Sequence, residues 1–311
     1  MIEKNPLVSA IIVTYNRKAD VIECLDSVLS SSYQPIEIIV VDNASTDGTA
    51  EALEKKYANK IRLIKSQKNL YAGGGRNLGA QSAQGDYLLF IDSDNIVDKD
   101  MVKDMVDGLV ENNSLSIGMS GPFTYYRSDP QRLCWVNNRM SLLTSITVFE
   151  GSGLIDYGQF AKQDFIQVHH IPNVFMLPAK VFRDACGFDE DYVMHYEESD
   201  LAERIKRKGM AIVLFPQAKV WHNVSMRRQE GHKSFKGENP AMVYYVSRNR
   251  IIFMRKNSGG ARLALFMLVF NNCFLIYNLA ILFLNKQYSL MKSALKGYSD
   301  GLLMPLKGRR Q

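Results

Sequence analysis

The chain has 311 residues, 46% of them hydrophobic, and a net charge of +6. That is enough apolar material for one large domain with a substantial appendage. Four cysteines (Cys24, Cys134, Cys186, Cys273) lack the spacing of a disulfide framework or a zinc site, which fits a reducing cytoplasm. The basic excess gathers in the last third, from Arg227 to Arg310, a bias suited to phosphate-bearing ligands or an anionic membrane surface. No aromatic-basic interleaving or DNA-binding motif supports a nucleic-acid partner. The polar start runs straight into a strand, without a signal-peptide pattern.

Leu7 to Thr14 is apolar or small throughout and predicts a strand, with Tyr15-Asn16-Arg17 as the turn after it. Val21, Ile22, Leu25, Val28 and Leu29 have helical spacing. Ile36 to Val41 is the next buried strand and ends in Asp42-Asn43-Ala44-Ser45-Thr46-Asp47-Gly48. A helix from about Thr49 to Tyr57 and a short strand at Ile61–Ile64 follow. Asn69 to Gly79 then leads a helix, and Leu88 to Ile91 reads as a strand buried on both faces. Alternating strands and helices predict an α/β fold with a mostly parallel sheet.

Three places in this half can carry chemistry. Asp92-Ser93-Asp94 ends the Leu88–Ile91 strand at its carboxyl edge, where open α/β sheets bind ligands. Alternate residues of an extended chain point the same way, so both carboxylates can hold one divalent cation, directly or through water. An acidic turn that merely ends a strand is the plainer reading. Asp42 can accept hydrogen bonds from a base or a ribose, or cap the next helix. Gly73-Gly74-Gly75-Arg76-Asn77 either lets backbone approach a ligand, with Arg76 on phosphate, or serves only a tight turn.

Four segments occur in order: Ser9–Arg17, Val41–Thr49, Asn69–Gly79 and Phe90–Asp94. Together they resemble the family-two glycosyltransferases of GT-A fold, in particular the rhamnosyltransferase-like branch, over roughly residues 7 to 255. The resemblance implies a Rossmann-like sheet flanked by helices. It places a nucleotide sugar against Thr14, Tyr15, Asn16, Arg17, Asp42 and Asn43, with Gly74, Arg76, Asn77 and Ser93 nearby. It also implies Mn²⁺ or Mg²⁺ on Asp92 and Asp94, bound to the donor diphosphate.

Beyond a helix at Lys99–Val110 and a strand at Ser116–Gly121, the stretch from Arg127 to Val168 is irregular and resists ordering. Ile171–Pro178 and Val181–Glu190 resemble the family segment that packs beneath the sugar site and ends in Gly-Phe-Asp-Glu. His195-Tyr196-Glu197-Glu198-Ser199-Asp200-Leu201 opens a helix through Lys208. Acidic residues favour a helix N-terminus through the macrodipole. The resemblance assigns the catalytic base to Glu198, where the family usually has Asp, with Glu197 beside it and Asp200 orienting the acceptor or supporting the site. Val213–Phe215 and Lys219–Trp221 predict short strands, and His222 follows. A His beside a Trp is usually packed, but the family carries a metal-binding His at this position. With Asp92 and Asp94 it makes a set suited to Mn²⁺. Ser225 to Asn239 predicts a mobile closing loop or a solvated linker. Arg248 resembles the family's Arg-Asn motif on the helix after it, facing phosphate or solvent.

Leu263 to Leu284 carries no charge and is long enough to cross a bilayer. Asn271, Asn272 and Asn278 make it a poor span, so an interfacial helix or hairpin on anionic lipid is favoured over a buried helix or dimer interface. The expected organisation is a catalytic domain over 1–225, with nucleotide-sugar half 1–125 and acceptor half 126–225. A loop and Arg-Asn helix follow at 226–260, then a helical, partly hydrophobic extension at 261–311. The expected activity is an inverting transfer from a nucleoside-diphosphate sugar to a glycan or lipid-linked acceptor at the inner face of the cell membrane. The rivals are a non-catalytic nucleotide-binding scaffold subunit and a sugar nucleotidyltransferase. The latter predicts a Gly-rich loop after the first strand, which Thr14-Tyr15-Asn16-Arg17 lacks.

Overall fold

The computed structural model describes residues 5–223 and 234–306. Strands β1 (Val8–Thr14), β2 (Ile36–Asp42), β3 (Arg62–Lys65) and β4 (Tyr87–Asp92) lie parallel in the order β4-β1-β2-β3. Helices α1 (Lys18–Leu29), α2 (Thr49–Tyr57) and α3 (Tyr71–Gln81) make the crossovers. Register sets Thr14 opposite Asp42 and Val13 opposite Asp92, so three strand ends open on one edge. Past β5 (Asn95–Val97) and α4 (Met101–Glu111), β6 (Ile117–Tyr126) extends the sheet.

The irregular stretch resolves into β7 (Asp129–Leu133), a two-stranded hairpin of β8 (Asn137–Met140) and β9 (Thr147–Glu150), and the short β10 (Ile166–Gln167). Strand β11 (Val174–Pro178) inserts antiparallel between β4 and β6. Helices α5 (Ala179–Asp184) and α6 (Glu197–Lys206) precede β12. The two short strands expected near residues 213–221 form one strand, β12 (Ala211–His222), whose register slips between Phe215 and Lys219.

Alternation along the central strands divides the core. Ala10, Ile12, Leu89 and Ile91 face one layer, while Ile11, Leu88 and Phe90 face the other. Burial on both faces explains why these strands read as unbroken apolar runs.

Helix α7 (Pro240–Asn257) starts on an Asn239 cap, whose side chain accepts from Met242 N–H at 2.8 Å. The next helix, α8, runs Gly260–Leu284 with a π-helical stretch at Phe266–Phe270. Helix α9 (Tyr288–Leu303) packs on α7, with Gly297 and Gly301 set against the α7 backbone, where a side chain would collide. The three asparagines expected to make α8 a poor span have different surroundings. Asn271 and Asn278 are buried on its inner face, and Asn272 bonds the Met267 and Leu268 carbonyls and the Tyr298 hydroxyl. The outward face presents Leu268, Ile276, Phe283 and Leu284. The loop expected over Ser225–Asn239 falls largely outside the described residues.

Candidate active site at the carboxyl edge of the sheet

At the β1 and β2 ends, Thr14 Oγ1 and Asp42 Oδ1 are buried without a hydrogen-bond partner. Leaving such atoms unpaired costs about 1–3 kcal/mol each. The other Asp42 oxygen accepts from Ser45 N–H at 3.3 Å. Helix α2 does not use Asp42 as its cap: Asp47 accepts from Thr49 N–H instead. Asn16, at φ +51°, staples the β1 and β2 loops through Ser45 Oγ and Thr46 N–H, which leaves Tyr15 exposed above them. Asn43 bonds Leu70 N–H and the Tyr71 carbonyl, so it positions the start of α3.

The glycine-rich stretch differs from its expected role. Gly73, Gly74 and Gly75 lie within α3 and are buried against protein. A Cβ on Gly75 would fall 2.6 Å from Val13 Cγ1, and one on Gly74 would fall 3.0 Å from Leu70 Cβ. These glycines allow close helix–strand packing; they do not open backbone to a ligand. Asn77 likewise bonds the Phe188 backbone in both directions, and Glu190 Oε1, holding the Gly-Phe-Asp-Glu turn.

Helical periodicity then turns Arg76 inward. It is 2% exposed, lies over the rings of Phe175 and Phe188, and is ringed by carboxylates in place of the expected phosphate. Its Nη2 is 2.5 Å from Asp92 Oδ1 and 2.9 Å from Glu198 Oε1, and its Nη1 is 3.9 Å from Glu197 Oε1. Burial raises the Glu197 carboxyl to about 8, helped by the neighbouring Glu198 charge and opposed by Arg76. Burial also raises Glu198, while Arg76 and the Asn173 backbone N–H hold it down. Both carboxyls therefore sit above the ordinary range expected of free glutamates. Glu198 is the more open of the two.

Asp200 is not turned to this space. Its oxygens bond the Tyr192 hydroxyl, Arg204 Nε and Asn257 Nδ2, and it is 2% exposed, so it supports α6. Arg248 is also diverted: it is buried, bonds the carbonyls of Asp191 and Tyr192, and lies over Tyr244 and Tyr245. Neither contact leaves it facing phosphate as expected.

Of the expected cation ligands, the structure pairs two. Asp94 Oδ1 and His222 Nε2 are 3.5 Å apart, both partly open to solvent. Burial alone would raise Asp94, but His222 and the Arg17 guanidinium, 3.0 Å away, outweigh it and hold the carboxyl low. Asp92 is directed to Arg76, and among the described residues no group of three or more Asp, Glu, His or Cys side chains is arranged to hold a metal ion. Ser93 is buried within the turn. One ionised carboxylate and one imidazole fit a divalent cation that takes its other ligands from phosphate and water. Asn173, missed from sequence, bonds His222 Nδ1 through its side chain at 3.2 Å. Its only local signal is an asparagine just ahead of an apolar run.

Residues 9–171, more than half of the chain, match the family model for glycosyl transferase family 2. An uncharacterized glycosyltransferase of Haemophilus influenzae is 22% identical over 227 residues, 72% of this chain and 90% of that protein. A poly(ribitol-phosphate) β-N-acetylglucosaminyltransferase of Staphylococcus aureus is 31% identical over 160 residues, 47% of this chain but 28% of that longer protein. The structure is similar to that of a mannosyltransferase from Pyrobaculum calidifontis in complex with GDP-Man and Mn²⁺, with TM-score 0.56 and 15% identity. That match covers 97% of this chain and 88% of the other, so the sheet with its helical flanks is a GT-A fold. Sheet, strand-end acids and family match agree: the chain belongs to glycosyltransferase family 2.

Proposed function

We propose that the protein transfers a hexosyl or rhamnosyl group from a nucleoside-diphosphate sugar to a hydroxyl of a glycan or lipid-linked saccharide, with inversion, in cell-surface polysaccharide synthesis. One convergence carries the reading: Asp94 and His222 face each other at the sheet edge, while Arg76 joins Glu198 to Asp92 beside them. Thr14 and Asp42 receive the nucleoside through their unpartnered oxygens. Asp94 and His222 would hold Mn²⁺ or Mg²⁺, with Asp92 adjacent. When bound, that ion supplies Lewis-acid stabilisation of the departing diphosphate.

Glu198 takes the proton from the acceptor hydroxyl. The freed oxygen forms a bond to the anomeric carbon as the bond from that carbon to the diphosphate breaks, and the nucleoside diphosphate leaves. A carboxylate held above its usual range is a better-matched base near neutral pH, typically worth about 10²–10⁴-fold in rate. The outward apolar face of α8 seats the protein peripherally on the inner face of the cell membrane, near a lipid-linked acceptor.

The test is slow hydrolysis and binding across UDP-, dTDP- and GDP-sugars, with Mn²⁺ and with chelator, repeated for Glu198→Gln. Metal-dependent use of one donor, with transfer lost but donor binding kept in Glu198→Gln, is expected. Unchanged transfer in that variant removes Glu198 from its role, and folded wild type that binds no donor overturns the reading.

A further inference from the structure

We infer that Asn173 is a positioning residue of the reaction centre, whose side-chain amide holds the His222 ring in either of its neutral tautomers while its backbone carbonyl fixes the end of β4. Asn173 precedes β11 at φ +66°, a left-handed conformation that glycine and asparagine tolerate best. Its polar groups face three different site residues, and two of them are hydrogen-bonded. The carbonyl accepts from Asp92 N–H at 3.0 Å. The backbone N–H is near enough to the Glu198 carboxylate to lower its pKa. The side-chain amide meets His222 Nδ1 at 3.2 Å.

An extended residue in an antiparallel ladder gives both backbone groups to one neighbour. The left-handed turn splits them, so the carbonyl stays on β4 while the N–H turns toward Glu198 at the start of α6. That function needs only backbone, and glycine would serve it with less strain. The amide of Asn173 is therefore explained by its contact with His222.

A neutral imidazole carries one N–H. With Nε2 facing the Asp94 carboxylate, the proton lies on Nε2 and Nδ1 accepts from the Asn173 NH₂ group. A cation on Nε2 requires the lone pair there, so the proton moves to Nδ1 and needs an acceptor opposite. A half-turn of the amide puts Asn173 Oδ1 in the place of Nδ2. The same side chain then holds the ring with no other rearrangement. Asp in this position serves only the Nδ1–H form, and Gly serves neither. The second half of this scheme rests on the reading of Asp94 and His222 as cation ligands; the first does not.

The experiment uses the full chain labelled with ¹⁵N-histidine, with the His222 signals assigned from a His222→Asn variant. Ring-nitrogen NMR without metal, well above the ordinary imidazole titration range, reports the tautomer. A separate titration of free Mn²⁺ reports binding without any turnover. The wild type is expected to show Nε2–H, Asn173→Asp to shift to Nδ1–H, and Asn173→Gly to give an average of the two forms. Manganese affinity should fall about 10- to 100-fold in Asn173→Gly and be restored in Asn173→Asp. Because Asp also tolerates a left-handed φ, Asn173→Asp keeps the test intact should Asn173→Gly fold poorly. Unchanged His222 signals and Mn²⁺ affinity in Asn173→Gly overturn the proposal. Tautomer shifts as expected, in a wild type that binds no Mn²⁺, uphold the positioning role and overturn the cation site.

Discussion

Replacing Arg76 by Met isolates the charge at the centre of the site. Methionine keeps an apolar stem between Phe175 and Phe188 but removes the guanidinium that faces Asp92, Glu198 and Glu197. Breaking a buried ion pair from one side costs about 3–5 kcal/mol, because the remaining charge is left without compensation. The loss should depend on pH, with a definite sign. Folded Glu197 and Glu198 both have raised carboxyl pKa values, and Arg76 lowers each of them. Between the unfolded glutamate value of about 4.3 and the folded values, the native state binds more protons than the unfolded one, so stability falls as pH rises. Without Arg76 the folded values climb further and that window extends upward. The gap between wild type and Arg76→Met should therefore be narrow in mild acid and reach several kcal/mol above neutrality. Urea unfolding of both proteins across this range measures it. A gap under about 1 kcal/mol, or one that does not change with pH, would refute the assignment of Arg76 as the counter-charge of the carboxylate cluster.

Gly75→Ala should lower Tm, because the added carbon meets Val13 Cγ1 at 2.6 Å and overpacking of this kind costs about 1–3 kcal/mol; thermal denaturation checks it. Asp200→Asn should destabilise by a similar or larger amount, since Arg204 loses its buried partner, yet the folded fraction should keep its rate per molecule, as a single-turnover assay would show. Ile276→Asp, on the exposed face of α8, should leave the Tm nearly unchanged and weaken co-sedimentation with anionic phosphatidylglycerol vesicles.

How far the chain discloses itself depends on whether a feature is periodic or relational. Leu88–Ile91 and Ile36–Val41 read as buried strands because both their faces are covered, and an unbroken apolar run leaves little else to be. The hairpin of β8 and β9 had no such pattern: Thr147–Glu150 is largely exposed, so nothing in its hydrophobicity marks a strand. The acids at strand ends and at the helix start were legible one by one. Their partners were not, because a partner is fixed by which face of a distant helix turns inward. Arg76 sits in a glycine-rich stretch that invites a phosphate reading, yet those glycines are helical and the helix aims it at carboxylates 16 and more than 120 residues away.

Charge balance in that cluster distinguishes the surroundings of the two adjacent glutamates, which no local pattern separates. Three carboxylates around one guanidinium would leave two uncompensated negative charges in a buried space if all were ionised. Protonating one relieves most of that cost, and the group that takes the proton is the one least able to use the guanidinium. Glu197 is 3.9 Å from Arg76, with one oxygen buried and unpartnered, whereas Glu198 is 2.9 Å away. Burial and the neighbouring Glu198 charge accordingly push the Glu197 carboxyl up, to about 8. Glu198 is the more open of the two, which suits it to the proton-accepting role proposed for it.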